Sequence, residues 1–398
     1  MSIVFRPYQQ DSIELVRQKW KEGKRKVVVT LATGGGKTYI FAGISKIISD
    51  KKKRVIVLVD RKELLRQAAA SIEKLGVEVS LITAENSKKG RLPVPCRVYV
   101  AMQETLFRRV TKYPDFLDRL GGIDLVVMDE VHGGHFRRLV KLFDDKFILG
   151  FSATPKTSST KEPLKEYFDD IVCAAQIEDL IEQGYLNNAR TYGIHMDLKG
   201  LRFDKRTREF DDDSQNLVFG GSASVNSIIR NYRELAGGTK ALCFCVGIEH
   251  SKKVSIAFNM SGIQSWHLDG TTPQDERLQI LEEFRYADEG VLCNAQVLTT
   301  GYDEPTIKTI ILAKAVASVV SYFQMCGRGS RLCDAVGKDH FKILDFGNNW
   351  KRHGLWQSPY DWVDEFYNPR VETPDEDAPV RVCPVCQTVL PIAATRCT

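Results

Sequence analysis

No apolar run in this 398-residue chain approaches the roughly 18–20 residues that a membrane span requires, so no spanning helix is expected. The start, Met1-Ser2-Ile3-Val4-Phe5-Arg6-Pro7, lacks the basic, apolar and small-residue succession of a secretory signal. Neither an internal repeat nor a low-complexity block is present, which sets aside solenoids and arrays. Charge of neither sign prevails. The 56 Lys and Arg against 51 Asp and Glu leave a net +5, which permits a polyanionic partner without requiring one. Hydrophobic residues at 43% and charged residues at 27% are ordinary for globular chains and exclude a disordered or collagen-like one. A disulfide framework is not expected either. Of ten cysteines, seven are scattered (Cys96, Cys173, Cys243, Cys245, Cys293, Cys326, Cys333) and read as small buried thiols in a reducing compartment. The other three, Cys383, Cys386 and Cys397, are grouped near the C-terminus.

The length suits two large domains and something small. Short β-branched runs alternate with helical stretches twice over. The first set comprises Val27–Leu31, Val55–Val59, Val98–Val100, Leu125–Met128 and Phe147–Gly150, and the second Ala241–Cys245, Gly290–Cys293, Thr309–Leu312 and Phe341–Leu344. Near-continuous apolar strands separated by helices indicate parallel sheets covered on both faces. The expected organisation is α/β: domains over 1–175 and 222–355, a connector over 176–221, and a tail over 356–398. The charge-rich stretch 195–215 suits a hairpin or an ordered linker, and the acidic, Pro-bounded stretch 372–379 suits an exposed tether.

Three motifs carry chemistry. Ala32-Thr33-Gly34-Gly35-Gly36-Lys37-Thr38 follows an expected strand and opens an expected helix. Glycines let backbone wrap a phosphate, and the helix N-terminus offers amide donors. Lys37 is placed to reach the β- and γ-phosphates and Thr38 to put its hydroxyl on Mg²⁺. Leu31 stands where the strict P-loop pattern has its first glycine. Asp129-Glu130-Val131-His132 follows the strand Leu125–Met128, at the strand end where parallel sheets present ligand chemistry. Asp129 is expected to hold Mg²⁺ through its water shell and Glu130 to deprotonate the attacking water. Far along the chain, Gln324-Met-Cys-Gly-Arg328-Gly-Ser-Arg331 sets two arginines three apart, expected on one helix face. Their positive charge suits a γ-phosphoryl group in transfer, and from the second domain they would complete the site only on closure.

With these motifs in this order, the chain resembles superfamily 2 helicases and translocases. Phe5-Arg6-Pro7-Tyr8-Gln9 resembles the adenine-reading motif, which implies nucleotide contacts from Arg6 and Gln9. Asp60-Arg61-Lys62-Glu63-Leu64 resembles motif Ia, and Ser152-Ala-Thr154-Pro155 resembles motif III, which couples hydrolysis to domain movement together with His132. Phe244-Cys245-Val246, Leu298-Thr299-Thr300-Gly301-Tyr302-Asp303 and Gln324–Arg331 resemble motifs IV, V and VI. The resemblance implies two tandem RecA-like domains binding ATP and Mg²⁺, with Asp303 also near the nucleotide. It assigns nucleic-acid contacts to Arg61, Gln103, Thr271, Thr299 and Thr300. Motif II ends in Val131-His132, unlike the Asp-Glu-Ala-Asp form of RNA unwinding, and Ala101-Met102-Gln103 lacks a Thr or Ser frequent on that path.

Val297–Pro305, Gly327–Leu332 and Ile343–Asn348 resemble most narrowly the RadD-type DNA repair helicases of bacteria, with related phage and mitochondrial proteins. That implies a monomeric motor on single-stranded, forked or branched DNA, beside repair, recombination or replication proteins, in the cytoplasm of a bacterial or phage-infected cell. A duplex DNA translocase subunit of a restriction or remodelling complex, an RNA helicase, and a binding scaffold with a vestigial ATP site remain alternatives. No nuclease constellation is evident. Cys383-Pro-Val-Cys386 with Cys397 resembles a zinc ribbon short of its last ligand, which implies a truncated sequence or a fourth ligand from elsewhere.

Overall fold

A computed structural model describes residues 4–60, 62–84, 92–133, 136–157, 162–299, 302–370 and 377–397, the side chains of Lys62 and Glu63 excepted. The chain divides into two units. One comprises Met1–Gln176 and Tyr360–Val371; the other comprises Ile177–Pro359 and Glu372–Thr398.

In the first unit the order is α1 (Pro7–Lys21), β1 (Lys26–Thr30), α2 (Lys37–Asp50), β2 (Val55–Val59), α3 (Lys62–Glu73), β3 (Val79–Ile82) and β4 (Val98–Met102). It continues with α4 (Gln103–Lys112), α5 (Phe116–Arg119), β5 (Leu125–Met128), α6 (Phe136–Leu142), β6 (Phe147–Ser152) and β7 (Asp170–Cys173). The strands form one parallel sheet in the order β3-β4-β2-β5-β6-β1-β7. Every residue of β2, Val-Ile-Val-Leu-Val, is buried, as a strand with helices on both faces must be. The order makes β5, β6 and β1 neighbours, with Thr30 opposite Ser152 and Met128 opposite Gly150. Three motifs separated by up to about a hundred residues therefore leave adjacent strands at the same edge.

The second unit contains α7 (Ile177–Glu182), β8 (Asn188–Gly193), β9 (Phe203–Asp204), β10 (Glu209–Phe210), α8 (Asp212–Phe219), α9 (Ser222–Ala236), β11 (Lys240–Cys245), α10 (Ile248–Met260) and β12 (Ser265–Leu268). Then come α11 (Gln274–Tyr286), β13 (Gly290–Asn294), β14 (Thr309–Ala313), α12 (Val319–Cys326), β15 (His340–Asp345) and α13 (Asn349–His353). Its parallel sheet runs β12-β13-β11-β14-β15-β8. Helix α14 (Trp362–Tyr367) follows, then the hairpin of β16 (Val380–Val382) and β17 (Val389–Pro391).

Two boundary expectations are corrected. Residues 176–221 are not a connector. β8 pairs along its whole length with β15, and Phe210 and Phe219 lie in the second unit's core. The stretch 195–215 forms the β9–β10 hairpin and the start of α8, whose cap Asp211 accepts from the Ser214 amide at 2.9 Å. Residues 356–398 are likewise not a free tail. α14 returns to the first unit, where Phe366 is buried with Phe136 and Phe168. The β16–β17 hairpin lies against β8, with Tyr192 bridged to Thr388 and the Gly193 amide donating to the Gln387 carbonyl at 3.0 Å. An otherwise open sheet edge is thereby covered. Most of the acidic stretch 372–379 lies outside the described residues; Asp377 pairs with Lys351 at 3.0 Å.

Candidate nucleotide site and candidate nucleic-acid contacts

The loop between β1 and α2 is shaped by two left-handed glycines, Gly34 (φ 94°) and Gly36 (φ 83°). A Cβ on Gly36 would stand 2.6 Å from Gln9 Nε2, so side chain and backbone both require glycine there. Gly36 caps α2, which directs its first amides and its dipole into the loop. Lys37 Nζ lies 3.1 Å from Glu130 Oε1. The loop is braced from α1. The Tyr8 hydroxyl donates to the Gly35 carbonyl at 2.7 Å and accepts from Arg6 Nη1 at 3.1 Å. Gln9 Oε1 accepts from the Arg6 amide at 3.0 Å, while Gln9 Nε2 points to the Gly35 carbonyl at 3.4 Å. Gln9 and Arg6 thus bind the loop to the helix start, in addition to any contact with a base. Tyr8 escaped the sequence reading, although it stands between two residues that were singled out.

Asp129 and Glu130 leave β5 at its C-terminal end. Glu130 is left-handed at φ 53°, a conformation that costs a non-glycine residue about 1 kcal/mol and that turns its carboxylate toward Lys37. Its amide donates to Asp129 Oδ1 at 3.0 Å. His132 Nδ1 is 3.2 Å from Glu130 Oε2 and 3.0 Å from Ser152 Oγ, and Ser152 Oγ accepts from the Thr154 amide at 3.0 Å. One continuous chain of contacts therefore joins Lys37, Glu130, His132, Ser152 and Thr154. Burial and the neighbouring Glu130 charge push the Asp129 carboxyl up. Burial opposes ionisation of Glu130 too, but Lys37 and His132 outweigh it and hold that carboxyl well below the usual range. The two adjacent carboxyls are thus shifted in opposite directions, Glu130 being the one held ionised by Lys37 and His132. The carboxylate of Asp129 and the hydroxyl of Thr38, on α2's second residue, are the hard oxygen donors that Mg²⁺ takes.

Gln103, expected to touch nucleic acid, is turned inward instead. It is 4% exposed, and its Nε2 donates to the Asp129 carbonyl at 3.0 Å. It opens α4 directly beside motif II and supports that loop. Arg61 and Thr300 lie outside the described residues.

In the second unit, α12 carries buried Gln324 and ends at Cys326; Gly327–Gly329 form a 3₁₀ turn. Arg328 and Arg331 therefore do not share a helix face. At Gly329 a Cβ would come within 2.2 Å of the Phe341 ring, so that position requires glycine. Arg328 is buried, with Nε and Nη2 donating to the Thr299 carbonyl at 3.0 and 2.6 Å and Nη1 to the Tyr302 carbonyl at 2.7 Å. Motif VI thus clasps motif V through two backbone carbonyls. Arg331, more exposed, pairs with Asp303 at 3.0 Å. Thr271, exposed after β12, has both its amide and its hydroxyl on Asp269 Oδ1 at 2.6 Å; Asp269 in turn meets His267 at 2.8 Å.

The tail thiols converge. Cys383, Cys386 and Cys397 place their sulfurs within 4.8 Å of one another. The turn closes through the Gln387 amide on the Cys383 carbonyl at 3.0 Å, with Gln387 left-handed at φ 61°. Backbone amides of Cys386 and Val385 pull the Cys383 thiol down to about 7, toward the thiolate a metal needs. Three thiolates fit three corners of a zinc tetrahedron. A second trio, Cys243, Cys245 and Cys293, is equally close but sealed in the core between β11 and β13. Among the described residues no helix is long and apolar enough to cross a membrane.

Comparison with known proteins matches residues 2–157 to the family "Type III restriction enzyme, res subunit" and residues 223–333 to "Helicase conserved C-terminal domain". The chain is 27% identical to a 51.5 kDa protein of a Lactococcus phage, over 92% of this chain and 75% of that protein. It is 28% identical to IRC3 of Saccharomyces cerevisiae, named as an ATP-dependent helicase, over 86% of this chain and 51% of that one. It is 26% identical to the type I restriction enzyme EcoAI endonuclease subunit of Escherichia coli, over 86% of this chain and 46% of that one. The chain spans about half the length of these last two relatives. Among solved structures, a fragment of an HsdR-type restriction subunit from Vibrio vulnificus superposes with a TM-score of 0.69 at 22% identity, covering 88% of this chain and 66% of that one. The DEAD-box helicase Mss116 bound to single-stranded RNA gives 0.60 at 16% identity, covering 90% and 76%. These two share the fold.

Proposed function

The chain belongs to the superfamily 2 helicases, enzymes that hydrolyse ATP in dependence on nucleic acid, and we propose that its substrate is forked or branched DNA in repair, recombination or replication. The observation that carries the enzymatic part is the unbroken contact chain from Lys37 through Glu130, His132 and Ser152 to Thr154. It links a phosphate-binding lysine to the motif that resembles a coupling element. DNA is favoured by the restriction-subunit family match over 2–157 and by the RadD-like segments.

In this reading Lys37 and the amides of Gly34–Thr38 hold the phosphates. Thr38 and Asp129 would hold Mg²⁺, which would supply neutralising charge to the phosphates. Glu130 takes a proton from the attacking water once the phosphates have drawn Lys37 away, since the Lys37 pair that holds its carboxyl down also weakens it as a base. Arg331 supplies charge to the transferring group, Arg328 holds motif V through its carbonyls, and Gln324 orients there. Thr271, Thr299, Thr300 and Arg61 grip backbone phosphates, so affinity falls with salt and varies little with sequence. The tail thiols hold Zn²⁺, with a fourth ligand from elsewhere.

A second reading, a duplex DNA translocase subunit, is favoured by the similarity to the EcoAI subunit and by the HsdR-type fold neighbour. The deciding experiment is steady-state ATP hydrolysis with single-stranded, duplex and forked DNA and with RNA, using Glu130→Gln as blank. Strand separation and triplex displacement are measured alongside. Stimulation greatest on forked DNA with strand separation supports the first reading. Triplex displacement without strand separation supports the second, and stimulation by RNA alone overturns both.

A further inference from the structure

The segment that returns to the first unit is joined to the motif III turn by a buried charge. Glu365, on α14, is 3% exposed, and its Oε1 lies 3.0 Å from Lys156 Nζ. The carboxylate is held from two further directions: Oε2 accepts from the Tyr360 hydroxyl at 2.9 Å, and Oε1 from the Arg370 amide at 3.1 Å. Lys156 stands two residues after Thr154, and its own amide donates to the Thr154 carbonyl at 2.7 Å. One side chain therefore separates a carboxylate near the end of the chain from the backbone of the coupling motif.

The rest of α14 is anchored independently. Phe366 is buried in the first core, Lys165 Nζ donates to the Tyr367 carbonyl at 2.8 Å, and the Tyr367 hydroxyl donates to Asp170 at 2.6 Å. Apolar packing and these bonds suffice to dock the helix. A buried ion pair adds little net stability over an apolar pair of the same volume, but it fixes direction, which packing leaves loose. By its place in the chain, α14 is also the end of the connection that leaves the second unit at Pro359.

We propose that Glu365 is a positioning residue for the Ser152–Thr154 turn. Through Lys156 it holds that turn in the register at which nucleic acid stimulates hydrolysis, and it ties this register to the polypeptide arriving from the second unit. The proposal rests on the chain being a nucleic-acid-stimulated ATPase.

The test compares Glu365→Gln with Tyr367→Phe in the full chain, reading ATP turnover with and without forked DNA, single-stranded DNA or RNA oligonucleotides, together with Tm. Tyr367→Phe cuts the anchor to Asp170 and leaves the Lys156 contact whole. Glu365→Gln is expected to leave unstimulated turnover unchanged and the KM for ATP within about twofold, while stimulation falls about tenfold. Tyr367→Phe is expected to lower Tm and to keep stimulation. Wild-type stimulation in Glu365→Gln, or an equal loss in both variants, overturns the positioning role. If Glu365→Gln does not fold, Tyr360→Phe, which loosens the carboxylate without unpairing Lys156, should lose about threefold in stimulation at unchanged KM; no loss overturns the role. A wild-type chain that no nucleic acid stimulates overturns the underlying function, and is told apart from the other outcomes by that control.

Discussion

Glu130→Gln should bind ATP more tightly than the wild type while losing hydrolysis. In the structure Lys37, the residue placed to reach the phosphates, is paired with Glu130 at 3.1 Å. ATP must take Lys37 from that partner. The bare Coulomb attraction of such a pair is several kcal/mol at an effective dielectric of about 20. Solvent reaches both side chains, at 13% and 22% exposure, so the net worth of the pair is about 1 kcal/mol. The amide keeps the carboxylate's shape but not its charge, so this cost of binding is largely removed and a like charge near the triphosphate disappears. The expected gain is about fivefold in Kd, from ~1 kcal/mol. The assay is equilibrium titration with a fluorescent ATP analogue in Mg²⁺ without nucleic acid, with turnover measured in parallel. An unchanged or weaker Kd would refute the claim that the Lys37–Glu130 pair competes with the phosphates.

Three further outcomes are expected. Arg328→Ala removes three hydrogen bonds to the Thr299 and Tyr302 carbonyls and should lower stability by about 3 kcal/mol as well as abolish turnover. Arg331→Ala should lose turnover with little change in Tm, and equal Tm losses in the two would count against the assignment of motif V support to Arg328. Burial raises the Asp345 carboxyl from 3.8 to about 6, against the amides of Trp350 and Gly347 that favour its charge. The folded state then holds the proton more tightly. This contribution is present below pH ~4 and lost as pH rises through ~6, on the order of 3 kcal/mol, so urea unfolding between pH 4 and 7 should show stability falling with pH, and Asp345→Asn should flatten that part of the curve. Cys383→Ser should remove bound zinc, read by metal analysis of the purified chain, and lower the Tm because the β16–β17 hairpin lies on β8; unchanged zinc content would rule out the tail as the site.

Much of the first unit's chemistry was readable because it is local. A β-branched run, three glycines and Lys37-Thr38 specify strand, loop and helix start within about a dozen neighbouring positions. The carboxylates of Asp129 and Glu130 follow a strand for the same reason, and the cysteine spacing of the tail made its convergence readable. Their opposed ionisation was not, since it depends on Lys37, which lies 93 positions away from Glu130.

What only the tertiary structure decided is where residues distant in sequence end up. The strand order β5-β6-β1 sets motifs I, II and III side by side, and no periodicity encodes that order. Helical spacing suggested one face for Arg328 and Arg331, but α12 ends at Cys326, a 3₁₀ turn follows, and Arg328 turns to the motif V carbonyls. Gln103 carried the polarity of a surface contact and was drawn inward by the Asp129 carbonyl. β8 looked like part of a connector because an edge strand of six residues has little pattern of its own until β15 supplies its hydrogen bonds. The return of α14 to the first unit was equally hidden. Trp362, Glu365 and Phe366 are spaced as on any short helix, and only the packing of Phe366 with Phe136 and Phe168 and the buried Lys156–Glu365 pair determine which unit they complete.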